Sequence, residues 1–293
     1  MAANAYNRNR MITRISYHGF TECLEISNGD ARVIVSTEFG PRILFYALDG
    51  EENILGWHGE AKVETDLGIW KPYGGHRLWI APENMPLSYA PDNDPVEVEE
   101  LGELSVQLVQ PVDTNRATQK EMTIVLDPAG SGVSVEHRIE NLGESEIEIS
   151  AWALTIMAPG GEAIVPNEPF GGYSPDNLLP VRTMALWPYT DLTDPRWKFE
   201  KEAIRLRVDE SIHSQQKFGV LNKQGWVGYE WRDLMFTKRF DFVEGAVYPD
   251  MNSNVEIYTD GGFVEVETLS PLQTILPGDS VEYTETWELT RNN

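Results

Sequence analysis

YPDMNSNVEIYTDGGFVEVETLSPLQTILP, residues 248–277, reads as two strands joined by a tight turn. Apolar and polar residues alternate on both sides of Asp260-Gly261, a pair that favours the positive φ of a two-residue hairpin loop. With Thr259 and Gly262 flanking that turn, Tyr258 faces Phe263, Glu256 faces Glu265 and Asn254 faces Glu267. The two-residue period puts these six side chains on one face of the ribbon. Val255, Ile257, Val264 and Val266 take the other face, which reads as core. Like charges directly opposite one another destabilise a sheet. The acidic face is therefore either solvated or offset by a Lys or Arg from another strand, a metal, a raised carboxyl pKa or a polar ligand.

Outward from this ribbon the same tempo of strand, turn and strand recurs. Toward the N-terminus, Ile12–Tyr17, Glu22–Ser27, Arg32–Thr37 and Arg42–Leu48 are expected strands, with Asn28-Gly29 and Gly40-Pro41 as breaks. Thr118–Leu126, Gly132–Asn141 and Glu146–Met157 follow, then Gly225–Trp231, Leu234–Phe242 and the closing Ser280–Leu289. Two irregular zones interrupt the series, residues 60–103 and 158–196. Both are rich in Gly and Pro, and such segments crossing a sheet end are where binding residues collect. One short helix is expected within Asp191–Lys201. More than fifteen strands without a linker argue for one large β-sandwich.

Bulk composition narrows the partners. The 293 residues carry a net charge of −24, so nucleic acid and anionic membranes are repelled. No apolar run approaches the roughly 20 residues of a membrane helix, and no membrane partner is expected. Cys23 is the sole cysteine, so no internal disulfide forms. The opening MAANAYNRNRM has no apolar signal core, which points to a cytoplasmic protein, or a periplasmic one whose leader has been removed. Nine Trp and eleven Tyr supply flat rings for core packing or sugar contacts. There is no Walker loop, dinucleotide fingerprint or Gly-x-Ser-x-Gly elbow, and no His/Cys pair with zinc spacing. Neither a cofactor nor a metal is expected.

The loop YGGHRLWIAPE, residues 73–83, gathers polar groups behind two glycines that allow close backbone approach. If residues 76–80 are extended, His76, Leu78 and Ile80 point one way, and Arg77 and Trp79 the other. Arg77 offers a rigid donor fork and Trp79 a stacking face; the alternative is an Arg77 ion pair with Glu83 or a hairpin carboxylate, and a core Trp79. Arg42, after Gly40-Pro41, either enters the same cavity or offsets surface acid. Lys238 shares an aromatic strand face with Phe236 and Phe240. It either pairs with a buried carboxylate, for which Glu265 or Glu267 would suit, or snorkels to the surface.

Three segments together resemble the aldose 1-epimerase (galactose mutarotase) superfamily: GGFVEVETLSPLQTILPGDSVEYTETWEL at the end, HRIENLGESEIEISAWALTIMAPGG in the middle, and YGGHRLWIAPE. The likeness covers most of residues 12–290. It implies an all-β, galactose-mutarotase-like supersandwich, a large antiparallel β-sandwich forming one domain over 12–290 after a flexible arm at 1–11. It also implies a small-molecule carbohydrate site on a concave sheet. In that family a late-strand glutamate is the general base on the anomeric hydroxyl, and a central-strand histidine is the general acid at the ring oxygen. Glu267 falls on the glutamate position. The matching central segment, Ile149 to Leu154, holds no histidine, so His76 stands as substitute acid and Trp152 as a pocket wall. Arg42, Arg77, Trp79, Lys238, Asn254 and Glu265 complete the expected substrate-binding set. The expected function is interconversion or binding of aldose sugars. The alternatives are a non-catalytic carbohydrate-binding protein and a lyase or hydrolase of uronic-acid-containing sugars.

Overall fold

The computed structural model describes residues 11–292. The expected arm lies outside them except for Met11, which opens the first strand, Met11–Tyr17. Among the described residues two large sheets carry nearly all the regular structure, and every strand pair in them is antiparallel. The first has eleven strands. Its middle runs Arg42–Leu48, His76–Ala81, Ile147–Met157, Val264–Leu269, Val255–Thr259 and Gln216–Val220. The second has ten, centred on Val133–Asn141, Ser280–Arg291 and Leu234–Phe240.

Alternation along each strand explains why the sheets stack. Leu78, Ile80, Ala151, Ala153, Val255, Ile257, Val264 and Val266 of the first sheet share one buried cluster with Val133, Val135, Phe236, Val281 and Trp287 of the second. That cluster is the core of an all-β antiparallel sandwich. No helix is long and apolar enough to cross a membrane.

The ribbon that organised the reading is present with a different turn. Val255–Thr259 pairs with Val264–Leu269, placing Glu256 opposite Glu267 and Tyr258 opposite Glu265. The loop therefore spans residues 260–263 instead of two residues, and each partner moves by two positions. An even shift keeps every side chain on its expected face. The longer loop is fastened by the Thr259 hydroxyl, which accepts from the Gly261 N–H at 3.0 Å, and by Asp260 Oδ1, which accepts from the Gly262 N–H at 3.0 Å.

The expected helix at 191–201 is absent. Asp191 turns its carboxylate onto the Thr193 N–H (2.8 Å), and Asp194 does the same to the Arg196 N–H (3.0 Å). Such side-chain turns compete with helix, and the segment ends in a short strand, Trp197–Phe199.

Gly74-Gly75 lets the chain enter the sheet. Gly75 has φ +66°, and its N–H donates to the Gly56 carbonyl at 2.9 Å. A Cβ there would press into the Ile43 carbonyl oxygen. Gly75→Ala is expected to cost about 1–3 kcal/mol, read as a lowered urea midpoint.

Candidate functional site

The face of the first sheet turned away from the second is unusually polar. Register aligns Arg77, Leu154, Glu267 and Glu256 in one row across four strands. The next row holds Ile156, Glu265, Tyr258 and Lys217. Two glutamates thus meet side by side on a sheet, the arrangement that needs an offsetting charge.

Lys217 supplies it. Its Nζ lies 2.7 Å from Glu256 Oε2 and 3.1 Å from Glu267 Oε2, and all three side chains are buried. The Trp152 indole N–H also donates to Glu267 Oε2, at 2.8 Å. Burial works against the Lys217 ammonium, but the two facing carboxylates outweigh it and hold its pKa well above the ordinary lysine value. One cation does not balance two buried anions. Burial first, and their mutual repulsion with it, pushes Glu256 well above the usual carboxylate range; burial also raises Glu267, with Glu265 adding to it. The two carboxylates face one ammonium, so the proton affinity of each depends on the charge of the other. Among the described residues Glu267 Oε1 has no hydrogen-bond partner.

Arg77 makes the second ion pair, Nη2 to Glu265 Oε1 at 2.8 Å. Its guanidinium carbon lies 4.6 Å from the Trp79 ring centroid and 5.4 Å from that of Trp70. The Lys217 ammonium similarly lies 4.7 Å from Trp152 and 4.8 Å from Trp187. Each cation is held between a carboxylate and indole faces.

Above these pairs opens a cavity of about 650 Å³, whose walls include Trp70, Arg77, Trp79, Trp152, Lys217 and Glu265. A lobe of about 340 Å³ adjoins it through Glu83, Tyr89, Trp152, Trp187 and Lys217, and adds Asp250. The two irregular zones provide much of the wall: Trp70, Glu83 and Tyr89 from the first, Trp187 and Tyr189 from the second. The Tyr89 hydroxyl donates to Glu83 Oε1 at 2.6 Å.

Arg77, Trp79, Trp152 and Glu265 thus share one cavity, with Glu267 in the floor behind Lys217 and Trp152. The other expected site residues lie elsewhere. His76 is the clearest correction. By strand alternation it sits opposite to Arg77, between the two sheets, fully buried. Its Nε2 is 2.8 Å from His137 Nε2, and its Nδ1 is 2.9 Å from the Thr155 hydroxyl. The Tyr283 carbonyl, 3.0 Å from His137 Nδ1, can only accept. A neutral His137 therefore carries its proton on Nδ1, His76 donates from Nε2, and Thr155 donates to His76 Nδ1. Burial, aided by the Lys238 cation, lowers the His76 pKa well below the ordinary imidazole value. Its one N–H is directed at His137, on the side of the sheet turned away from the cavity.

Lys238 belongs to this inter-sheet cluster and pairs with Glu285, at 3.1 Å, instead of Glu265 or Glu267. It also donates to the carbonyls of Ala153 (3.0 Å) and Val266 (3.3 Å). Glu285 accepts further from Trp287 Nε1 at 2.8 Å and the Thr268 hydroxyl at 2.7 Å. Among the described residues, His76, His137 and Glu285 are a group with metal-ligand chemistry at close quarters. Each of their ligand atoms is already engaged in these contacts.

Arg42 does not line the cavity. It is buried, pairs with Asp92 at 2.8 Å and donates to the Pro72 carbonyl at 2.6 Å. It thereby fixes the loop that carries Trp70. Asn254 precedes its strand and is spent on Asn222, accepting from that residue's N–H at 2.6 Å and donating to its carbonyl at 2.9 Å.

Lys217 is the residue that sequence reading missed. It lies on the strand Gln216–Val220, for which no site residue was expected. The signal was QKFGV, in which Lys217 alternates against the apolar Phe218 and Val220.

No protein-family profile matches the sequence, and no curated protein matches it either. Solved structures do match by shape. A candidate aldose 1-epimerase from Escherichia coli K12 superposes with a TM-score of 0.60 at 10% identity, covering 91% of this chain and 98% of the other. A galactose mutarotase-like protein from Lactobacillus casei gives 0.59 at 10% identity, over 92% and 100%. A galactose mutarotase related enzyme from Lactobacillus acidophilus gives 0.58 at 9%, over 93% and 98%. At these identities the likeness speaks for architecture alone. The chain has the galactose-mutarotase-like β-sandwich fold.

Proposed function

We propose that the protein binds a carbohydrate, a single sugar or the terminal unit of a larger one, in the cavity over Arg77, Glu265 and Lys217. The observation that carries this reading is the composition of the walls. Indole faces of Trp79 and Trp152 stand next to ion-paired donors and acceptors in a space large enough for a pyranose. Sugars offer an apolar C–H face and a rim of hydroxyls, and such a wall answers both. The structural neighbours named for aldose epimerisation and mutarotation share this fold, which supports the same substrate class.

A second reading, aldose epimerisation with Glu267 as base, is favoured by the unpartnered Glu267 Oε1 and by a carboxyl pKa lifted by burial. It requires Lys217 or Trp152 to move aside, and its acid is a group other than His76.

Titration calorimetry with a panel of monosaccharides tests the first reading. At least one sugar is expected to bind, and Trp79→Ala to weaken it on the order of ten-fold through loss of the stacking face. Heatless, shiftless titrations with every sugar would end it. Polarimetry on freshly dissolved aldoses tests the second. A rate above buffer that disappears in Glu267→Gln supports epimerisation; buffer rates throughout leave a binding protein.

A further inference from the structure

The charges around the cavity specify which kind of sugar it takes. The cations are already committed: Arg77 is matched by Glu265, and Lys217 faces both Glu256 and Glu267. Three further acids line the space, Glu83 and Asp250 in the smaller lobe and Asp260 in the larger cavity. Among the described residues none of these three is ion-paired. A field of this sign repels a carboxylate or phosphate ligand and attracts an ammonium.

The residues of the floor also hold buried donors that lack acceptors. Arg77 Nε and Nη1 and the Trp70 indole N–H are buried without hydrogen-bond partners among the described residues, on side chains that line the cavity and are 3% and 4% exposed. Neutral hydroxyl oxygens satisfy such donors without bringing negative charge. The ligand that fits both ends carries hydroxyls toward Arg77 and Trp70 and a positive group toward Glu83 and Asp250.

We infer that the cavity is selective for an amino sugar with a free ammonium, a hexosamine, over neutral sugars, and that it rejects sugar acids. This rests on the carbohydrate reading above. Asp250 is held for the task by its backbone. It has φ +49°, the first of three consecutive non-glycine residues at positive φ. Asparagine tolerates that conformation, so Asp250→Asn removes the charge and keeps the turn. Glu83 is exposed, so Glu83→Gln is a second variant with little bearing on folding.

Calorimetry at low salt with glucosamine, galactosamine, their N-acetyl forms, glucose, galactose and glucuronate is the test. A free hexosamine is expected to bind tightest, glucuronate not at all. N-acetylation is expected to cost affinity. In Asp250→Asn or Glu83→Gln the ratio of amino to neutral sugar affinity is expected to fall roughly five-fold, since a partly solvated charge-assisted contact is lost. Neutral sugar or glucuronate binding as well as the hexosamine, or an unchanged ratio in both variants, overturns the selectivity and leaves the carbohydrate site standing. Binding of none of the probes overturns both.

Discussion

Lys238→Met is expected to lower stability by about 3–5 kcal/mol, among the largest single effects in this protein. Lys238 and Glu285 are both fully buried between the sheets, 3.1 Å apart. Removing the ammonium leaves a carboxylate where water cannot reach, with the Thr268 hydroxyl and Trp287 indole as its hydrogen-bond donors among the described residues. Two main-chain carbonyls, of Ala153 and Val266, lose their donor in the same step. Denaturant unfolding is the measurement. The double variant Lys238→Met with Glu285→Gln is expected to recover part of the loss, because an unpaired buried charge costs more than no charge at all. A single variant as stable as the parent would mean that the cluster carries no net charge coupling.

Lys217→Met is expected to be nearly as damaging, with a pH dependence that identifies its cause. Glu256 and Glu267 are cross-strand partners, and among the described residues Lys217 is the cation ion-paired to both. Their folded-state pKa values already lie above the ordinary 4.5, and loss of the cation raises them further. A carboxyl whose pKa is higher folded than unfolded holds its proton more tightly in the native state. Its stabilising share is complete below the unfolded value and is lost as pH rises through the folded one. The variant is thus expected to be near parental stability below the unfolded carboxyl pKa and to lose roughly 3–5 kcal/mol as pH rises through the raised folded values. Chemical denaturation across that range reads the slope. A loss independent of pH would assign Lys217 a packing role only.

Much of this was legible in the chain. Alternation alone separated Glu256, Tyr258, Glu265 and Glu267 from Val255, Ile257, Val264 and Val266, and an error of two in the register left those faces intact. The same alternation also held the correction to His76. It put His76 with Leu78 and Ile80, against Arg77, before a catalytic role was transferred to it by resemblance. What the sequence did not disclose was long-range pairing. Lys238 is matched to the hairpin glutamates because a lysine on an aromatic strand face calls for a buried carboxylate. Its partner, Glu285, sits on the adjacent strand of Lys238's own sheet, a contact that only sheet order reveals. Lys217 comes from Gln216–Val220, brought beside Val255–Thr259 by a crossing of some 35 residues that periodicity cannot anticipate. Arg42 and Asn254 are polar residues consumed by loop backbone, and their sequence surroundings resemble those of ligand-facing groups.

The central claim is that the acidic ribbon forms the floor of a sugar site. Diffraction from crystals soaked in a mixture of monosaccharides tests it most directly. The account predicts density for a sugar ring against Trp79 and Trp152, with an oxygen within hydrogen-bond reach of Arg77. Sugar density confined to other surfaces, with this cavity holding only water at saturating concentrations, would contradict it.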